Sequence, residues 1–174
     1  MAVTVEVKLG ERAYPIRIGC RLPPVSVLDP QQVSRLLIVS DSNVDPLYGA
    51  QRQQEFAALG FAVQRAVVPA GEHSKDWPHA AELHGRAVDA GLDRRSVIVA
   101  LGGGMVGDLA GFVAATFLRG VRLLQMPTTL LAMVDSAVGG KTAINLPQGK
   151  NLVGAFHQPA EVVADLTTLA SLPE

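Results

Sequence analysis

The chain has 174 residues, of which 48% are hydrophobic and 18% are charged. This length suits a single domain, and the apolar fraction allows a substantial buried core, which excludes disorder as the overall state. The 15 basic and 16 acidic residues leave a net charge of -1, so neither nucleic acid nor an anionic membrane is an expected partner. We therefore expect one domain over residues 1–174 whose partners are recognised locally.

Cysteine usage and the N-terminal pattern give an expectation for location. The single cysteine, Cys20, cannot form an internal disulfide, and the chain contains no Cys/His cluster with zinc-finger spacing. Apolar and polar residues alternate at the N-terminus, and no run reaches 18 apolar residues. Because neither a secretion signal nor a membrane span is indicated, the sequence predicts a cytoplasmic protein.

The pattern of elements along the chain predicts an α/β fold. Alternation at 3–9 and 14–18 indicates an N-terminal β-hairpin, and apolar runs at 36–39, 61–68, 96–101 and 121–126 indicate buried strands. Helical composition at 48–59, 78–90 and 105–118 separates these strands. Such alternation predicts an open, mostly parallel sheet with helices on both faces. From Pro127 onward no clean period remains, so we predict loops and short helices that line a polar site.

A glycine-rich turn lies between the predicted strand at 96–101 and the helix that follows it. Residues 102–107, GGGMVG, match G-x-G-x-x-G, a pattern in which the backbone approaches a pyrophosphate at a helix N-terminus. The turn favours a Rossmann-like domain, although its glycines are also compatible with close packing alone. No acidic residue closes the next strand, where an ordinary dinucleotide domain binds the ribose. Asp108 suits a helix N-terminal partner or a hydrogen bond to a ribose or nicotinamide group.

Other polar groups follow the predicted strands. Asp41 and Asn43 follow one strand and Glu72 and Lys75 follow another, where ligands collect in open α/β sheets. Turn formation and helix capping explain the same residues without any function, and the residues alone favour that interpretation. Four more groups lie within the apolar stretch after Pro127, where lysines suit phosphate or carboxylate and Asp or Asn suits hydroxyls, and where a salt-bridged surface loop is the alternative. They are Asp135, Lys141, Lys150 and Asn151.

Three long tracts resemble the N-terminal, NAD-binding half of the 3-dehydroquinate synthases, a family of sugar-phosphate cyclases. They are GGGMVGDLAGFVAATFLRG at 102–120, PTTLLAMVDSAVGGKTAINLPQGKNLVGAFHQP at 127–159 and DLTTLASLP at 165–173. The tract DSAVGGKTAIN favours this family over sibling cyclases that make aminocyclitol or valiolone precursors. Glycerol and iron-dependent alcohol dehydrogenases share the architecture but do not match these tracts.

The resemblance implies that NAD lies across the carboxyl ends of the strands. Asp41 and Asn43, with the Glu72 and Lys75 loop, would hold the adenosine end, and Gly103 would meet the pyrophosphate. The other positions implied around the cofactor are Gly104, Met105, Val106, Gly107, Asp108, Thr128, Thr129, Lys141, Lys150, Thr168, Leu169 and Ser171.

The same resemblance implies a phosphorylated sugar acid as substrate. Members convert 3-deoxy-D-arabino-heptulosonate 7-phosphate to 3-dehydroquinate and phosphate with NAD used catalytically. Asp135, Lys141 and Asn151 would contact the substrate. Arg119 matches a family arginine that reaches the substrate phosphate of the neighbouring subunit, which implies a homodimer.

A divalent metal, zinc or cobalt, is implied as well, because it polarises the hydroxyl that is oxidised. In the family one Glu and two His hold this metal on helices that follow the LPE at 172–174, so neither Glu161 nor Glu174 is expected to be a ligand. The C-terminal helical domain is thus expected to be absent from this chain, and the chain alone is expected to be inactive. Two alternatives remain: a free-standing NAD-binding module without turnover, and an NAD-dependent polyol dehydrogenase of the same superfamily.

Overall fold

A seven-stranded sheet forms the centre of the fold in the computed structural model, which describes residues 2–173. The strands of the molecule are β1 (Val3–Val7), β2 (Tyr14–Gly19), β3 (Leu36–Asp41), β4 (Val63–Val68), β5 (Val97–Gly102), β6 (Arg122–Pro127), β7 (Lys141–Leu146), β8 (Gly149–Phe156) and β9 (Glu161–Asp165). The sheet has the order β1-β2-β9-β6-β5-β3-β4, while β7 and β8 form a separate antiparallel pair. Within the sheet only β1 and β2 pair antiparallel, so the mostly parallel sheet and its N-terminal hairpin are confirmed.

Three helices cover both faces of this sheet: α1 (Ala50–Ala58), α2 (Trp77–Asp89) and α3 (Gly104–Thr116). Successive strand residues point to opposite faces; in β3, Leu37 packs in one apolar cluster with α2 and α3, and Ile38 packs in another with Phe56 of α1. Since both faces are buried, β3 and β5 carry continuous apolar runs. The helices on both faces are likewise confirmed.

Two helix boundaries differ from the sequence prediction. The helix predicted at 48–59 begins with a wider π-type turn, Asp45–Gly49, before α1. The helix predicted at 105–118 ends at Thr116, because the backbone φ is positive at Leu118 (50°) and Arg119 (69°). L-residues rarely adopt this conformation and cannot continue a right-handed helix through it.

The prediction of loops and short helices after Pro127 was wrong over residues 141–156, which form the β7–β8 hairpin. Glycine, proline and charged residues break the alternation by which strands are recognised in sequence. The hairpin packs on α3 at Gly111, where an added Cβ would lie 2.4 Å from Cγ2 of Thr142. These strands depend on packing against a helix, and the local sequence does not encode that contact.

Two further expectations concern membrane insertion and the terminal glutamate. No helix within residues 2–173 is both long and apolar enough to cross a membrane. Met1 and Glu174 lie outside the described residues, so the expectation that Glu174 is not a metal ligand stays a prediction.

Candidate functional site

A crevice opens between the carboxyl ends of two adjacent central strands, β3 and β5. The chain leaves β3 through α1 toward one edge of the sheet and leaves β5 through α3 toward the other edge, on the opposite face. Ligands of open α/β sheets bind at such a switch point. A cavity of about 280 Å³ lies here, and its lining includes Asp41, Asn43, Gly103, Met105, Thr128, Thr129 and Ser171.

The N-terminus of α3 opens on this crevice. Gly103 is its N-cap residue, and no side chain caps the helix. The first backbone N–H groups of a helix have no partner within the helix, and the helix dipole places partial positive charge there. This arrangement binds anionic oxygens, above all those of phosphate.

The individual glycines of the turn have different reasons to be glycine. An added Cβ on Gly102 would lie 2.7 Å from Cγ2 of Val106, and one on Gly107 would lie 3.0 Å from Oε1 of Gln125. Gly103 instead lines the cavity. Close packing therefore accounts for Gly102 and Gly107, whereas Gly103 gives a ligand access to the backbone.

Ser136 is a polar group of the site that the sequence reasoning missed. Its Oγ is buried without a hydrogen-bond partner among residues 2–173, and an added Cβ on Gly104 would lie 2.8 Å from it. An unpaired buried hydroxyl is costly and calls for an explanation. It lies beside the first turn of α3, where a bound ligand oxygen could accept a hydrogen bond from it. Its only sequence signal is its place directly after Asp135.

A second cavity, of about 510 Å³, lies between α3 and the β7–β8 hairpin. Its lining includes two carboxylates, those of Asp108 and Asp135, and the ammonium of Lys141. This combination suits a ligand that carries hydroxyl and anionic groups. The polar residues of its lining are Asp108, Asp135, Ser136, Lys141, Thr142 and Asn151. The structure thus brings together Asp135, Lys141 and Asn151, the three residues that the resemblance implies for the substrate.

Lys75 joins three elements beside this cavity. Its side chain is 4% exposed, and its Nζ donates to the carboxylate of Asp108 on α3 and, at 2.5 Å, to Oδ1 of Asn151 on β8. A lysine ammonium is rarely buried this deeply unless it is paired. The group implied for the adenosine end of a cofactor therefore lies among the residues implied for the substrate.

The carboxyl group of Asp108 has an unusual affinity for its proton. Burial raises the pKa of Asp108, and the nearby carboxylates of Glu72 and Asp135 add to this rise, while the Lys75 ammonium opposes it. Removal from water disfavours the charged form, whereas an adjacent cation favours it. An anionic group bound in the cavity would raise the pKa of Asp108 further, and a cationic group would lower it.

Other predicted residues have structural contacts of their own. Oδ1 of Asp41 accepts hydrogen bonds from the backbone N–H groups of Asn43 (2.8 Å) and Val44 (3.0 Å), so the turn-forming role is present. Ser171 accepts a hydrogen bond from Tyr48 Oη at 2.8 Å, which ties the turn Leu166–Ser171 to the start of the helical segment. That turn also contains Thr168 and Leu169.

Two predicted residues lie apart from the rest. Lys150 is exposed on β8 and is absent from the lining of both cavities. Arg119 is exposed and lines a third cavity, of about 490 Å³, with Arg12, Arg94 and Arg122. Among residues 2–173, no three His, Cys, Asp or Glu side chains come together as ligands for a metal ion.

Comparison with known proteins gives consistent matches. The family profile described as 3-dehydroquinate synthase N-terminal matches residues 65–174. The 3-dehydroquinate synthase of Symbiobacterium thermophilum is 55% identical over 170 residues, which are 95% of this chain and 48% of that protein. The chain spans about half the length of the curated relatives it matches.

Solved structures of sugar-phosphate cyclases share the fold. A 2-deoxy-scyllo-inosose synthase complexed with carbaglucose-6-phosphate, NAD+ and Co2+ superposes with a TM-score of 0.90 at 32% identity, over 98% of this chain and 48% of that one. The 2-epi-5-epi-valiolone synthase of Streptomyces hygroscopicus, with NAD+ and Zn2+ bound, gives 0.82 at 29% identity, over 98% and 47% of the two chains.

Proposed function

This chain belongs to the 3-dehydroquinate synthase family, and from that premise we propose that it is the NAD-binding part of a 3-dehydroquinate synthase. Such an enzyme converts 3-deoxy-D-arabino-heptulosonate 7-phosphate to 3-dehydroquinate and phosphate, a carbon–oxygen lyase reaction that closes a carbocycle. Relatives with this name at about 50% identity support the activity, and the NAD+ bound by two related cyclases supports the cofactor.

The observation that carries the proposal is the uncapped N-terminus of α3 at the crevice between β3 and β5. A pyrophosphate bridge of NAD fits there, because backbone N–H groups and the helix dipole complement its charge. The unpartnered Oγ of Ser136 lies beside the same turn, on the side of the 510 Å³ cavity. Asp41 and Asn43, at the far side of the 280 Å³ cavity, would then meet the adenosine end.

The 510 Å³ cavity is the proposed place of the substrate. Lys141 offers a cation for a carboxylate or phosphate, while Asp135 and Asn151 can bind ring hydroxyls. Bound NAD would supply a reversible hydride acceptor next to this cavity. Asp108 lines this cavity and is held in place by the ammonium of Lys75, so its carboxyl group would offer the substrate a hydrogen-bonding group at a fixed position.

A divalent metal fits no cluster within residues 2–173. The related cyclases carry Co2+ or Zn2+, so we propose that the metal of the complete enzyme is held by residues elsewhere in it. The isolated chain is then expected to be inactive, and release of inorganic phosphate by the purified chain would contradict this. We also propose that Arg119, which is exposed, contacts the substrate phosphate bound by the neighbouring subunit of a homodimer.

Titration calorimetry of the chain with NAD tests the cofactor proposal. We expect binding that Gly103→Ala weakens about tenfold, or about 1.4 kcal/mol, because the new methyl group would lie 3.3 Å from Cγ2 of Thr129 and narrow the cavity. Gly85→Ala is the matched control, since nothing lies within 4 Å of an added Cβ there. No heat of binding at millimolar NAD, or equal affinity in both variants, would refute the proposal.

Enzyme assays test the activity separately. The complete enzyme should release phosphate from the heptulosonate phosphate without net formation of NADH, because the hydride is returned within each cycle. Accumulation of NADH with glycerol, measured at 340 nm, would instead identify a polyol oxidoreductase.

A further inference from the structure

The β7–β8 hairpin contains a bulge at the position where the site residues are concentrated. Ile144 pairs with Val153 and Leu146 pairs with Gly149, so the single residue Asn145 on β7 faces residues 150–152 on β8. A bulge leaves residues unpaired and directs their side chains away from the regular alternation. Lys150 and Asn151 are two of these residues.

Asn145 uses its backbone and its side chain to join the bulge to the loop after β4. Its backbone N–H donates to the carbonyl oxygen of Lys75 at 2.7 Å. Its Nδ2 donates to Oε1 of Glu72 at 2.8 Å, and its Oδ1 accepts from the backbone N–H of Asn151 at 2.9 Å. One side chain therefore bridges a residue implied for the cofactor and a residue implied for the substrate.

Asn151 has an uncommon backbone conformation. Its φ is 57°, in the left-handed region, which asparagine adopts more readily than other residues with a Cβ but which is still rare. The bond from its N–H to Asn145 holds this conformation, and the conformation lets Oδ1 of Asn151 accept from Lys75 Nζ at 2.5 Å. Lys75, Asn145 and Asn151 thus form a closed ring of hydrogen bonds beside Asp108.

We propose that Asn145 is a positioning residue that fixes Lys75 and Asn151 relative to each other. This inference rests on the proposed function, because it gives Asn145 the role of holding the loop of Glu72 and Lys75, which is implied for the cofactor, against Asn151 of the substrate cavity. Asn145 itself lines neither the 280 Å³ nor the 510 Å³ cavity. It acts through the groups that it holds.

A donor–acceptor exchange tests this role. Asn145→Asp keeps an acceptor for the N–H of Asn151 but places a second carboxylate about 2.8 Å from that of Glu72. Adding Glu72→Gln to this variant restores the bond with its direction reversed, because the new amide donates to the new carboxylate. Rescue by the double variant would show that the hydrogen bond between positions 145 and 72, and not the asparagine side chain as such, controls the labelling of Lys75.

The first readout is the rate at which acetic anhydride labels Lys75, measured by mass spectrometry relative to exposed Lys8. Lys75 is 3% exposed and hydrogen-bonded, so its labelling is slow while the ring is intact. We expect labelling at least about fivefold faster in Asn145→Ala and Asn145→Asp, and near the original rate in the double variant. Gln148→Ala, in the exposed turn of the same hairpin, should not change it.

The second readout is NAD affinity by calorimetry in the same variants. We expect about tenfold weaker NAD binding in Asn145→Ala and Asn145→Asp than in the unaltered chain. Unchanged Lys75 labelling in Asn145→Ala, or labelling that stays fast in the double variant, would overturn the positioning role. Absence of NAD binding by the unaltered chain would overturn the proposed function instead, while the labelling result would still decide the role of Asn145.

Discussion

Two buried ion pairs, Arg52–Asp165 and Lys75–Asp108, lie at the carboxyl edge of the sheet and differ in their surroundings. In the first pair the side chains are 6% and 4% exposed, and in the second they are 4% and 19% exposed. Each joins a cation from one element to a carboxylate from another. Similar chemistry therefore occurs at two places in one fold, and the neighbouring groups decide what each pair does.

The carboxylate of Asp165 is saturated with donors. It accepts hydrogen bonds from Arg52 (2.6 Å), from the N–H and Oγ1 of Thr167, and from the backbone N–H groups of Arg21 and Leu22. Burial alone would raise the pKa of Asp165, but the hydrogen bonds from Thr167, Arg52 and Arg21 outweigh it and hold the pKa below its usual value. Such a carboxylate anchors the loop after β2 and the turn after β9.

Asp108 is the opposite case. Among residues 2–173, Lys75 is its one side-chain donor, and burial raises its pKa with help from the carboxylates of Glu72 and Asp135. Its remaining acceptor capacity faces the 510 Å³ cavity. A fully satisfied pair therefore stabilises the fold, whereas a partly satisfied pair beside a cavity is available to a ligand.

The largest expected effect comes from breaking the satisfied pair. Asp165→Asn should lower the free energy of unfolding by about 3 kcal/mol, because it leaves the buried guanidinium of Arg52 without its closest carboxylate. Denaturant unfolding at pH 7 measures this change. Glu55→Gln is the control: it removes the more exposed partner of the same arginine and should cost less than about 1 kcal/mol. Equal losses would contradict the contrast.

The pH dependence of stability should have opposite signs for the two carboxylates. A lowered pKa contributes stability above the ordinary value of 3.8 that is lost as pH falls through the folded-state pKa, so the advantage over Asp165→Asn should shrink in acid. A raised pKa contributes stability below 3.8 that is lost as pH rises through the folded-state pKa. The free energy of unfolding of the original chain, relative to that of Asp108→Asn, should therefore increase as the pH falls.

Unfolding curves between pH 3 and pH 7 measure both differences. One proton changes the free energy of unfolding by at most about 1.4 kcal/mol per pH unit. Slopes of the same sign for the two variants would show that folding shifts the pKa of Asp108 in the same direction as that of Asp165.

The smallest expected effect on stability is that of Asp108→Asn at pH 7. The free energy of unfolding should fall by about 1 kcal/mol, less than in Asp165→Asn, because the fold disfavours the charged carboxyl group and the new amide, together with Asn151, still offers the buried Lys75 two acceptors. NAD titration of the same variant is the second measurement. The affinity for NAD should fall, although the free energy of unfolding changes little. A loss near that of Asp165→Asn would assign Asp108 a structural role.

Much of the fold was predictable because its signals are local. The runs at 36–39 and 96–101 are apolar on both faces, and such runs separated by helical segments predict buried parallel strands. The β7–β8 hairpin was not predictable in this way, since β7 is held against α3 through Gly111 and Thr142 and its partner strand carries a bulge opposite Asn145.

The candidate site divides along the same line. The glycine-rich turn, its place between a strand and a helix, and the residue types that suit phosphate and hydroxyl groups could be predicted from the chain alone, because they depend on short-range spacing. Three features needed the folded molecule: the contacts of Lys75 with Asp108 and Asn151, the unpaired Ser136 beside Gly104, and the link that Asn145 makes between two loops. Residues 33 and 76 positions apart meet there, and such contacts follow from the order of strands and the packing of elements, which no local pattern records.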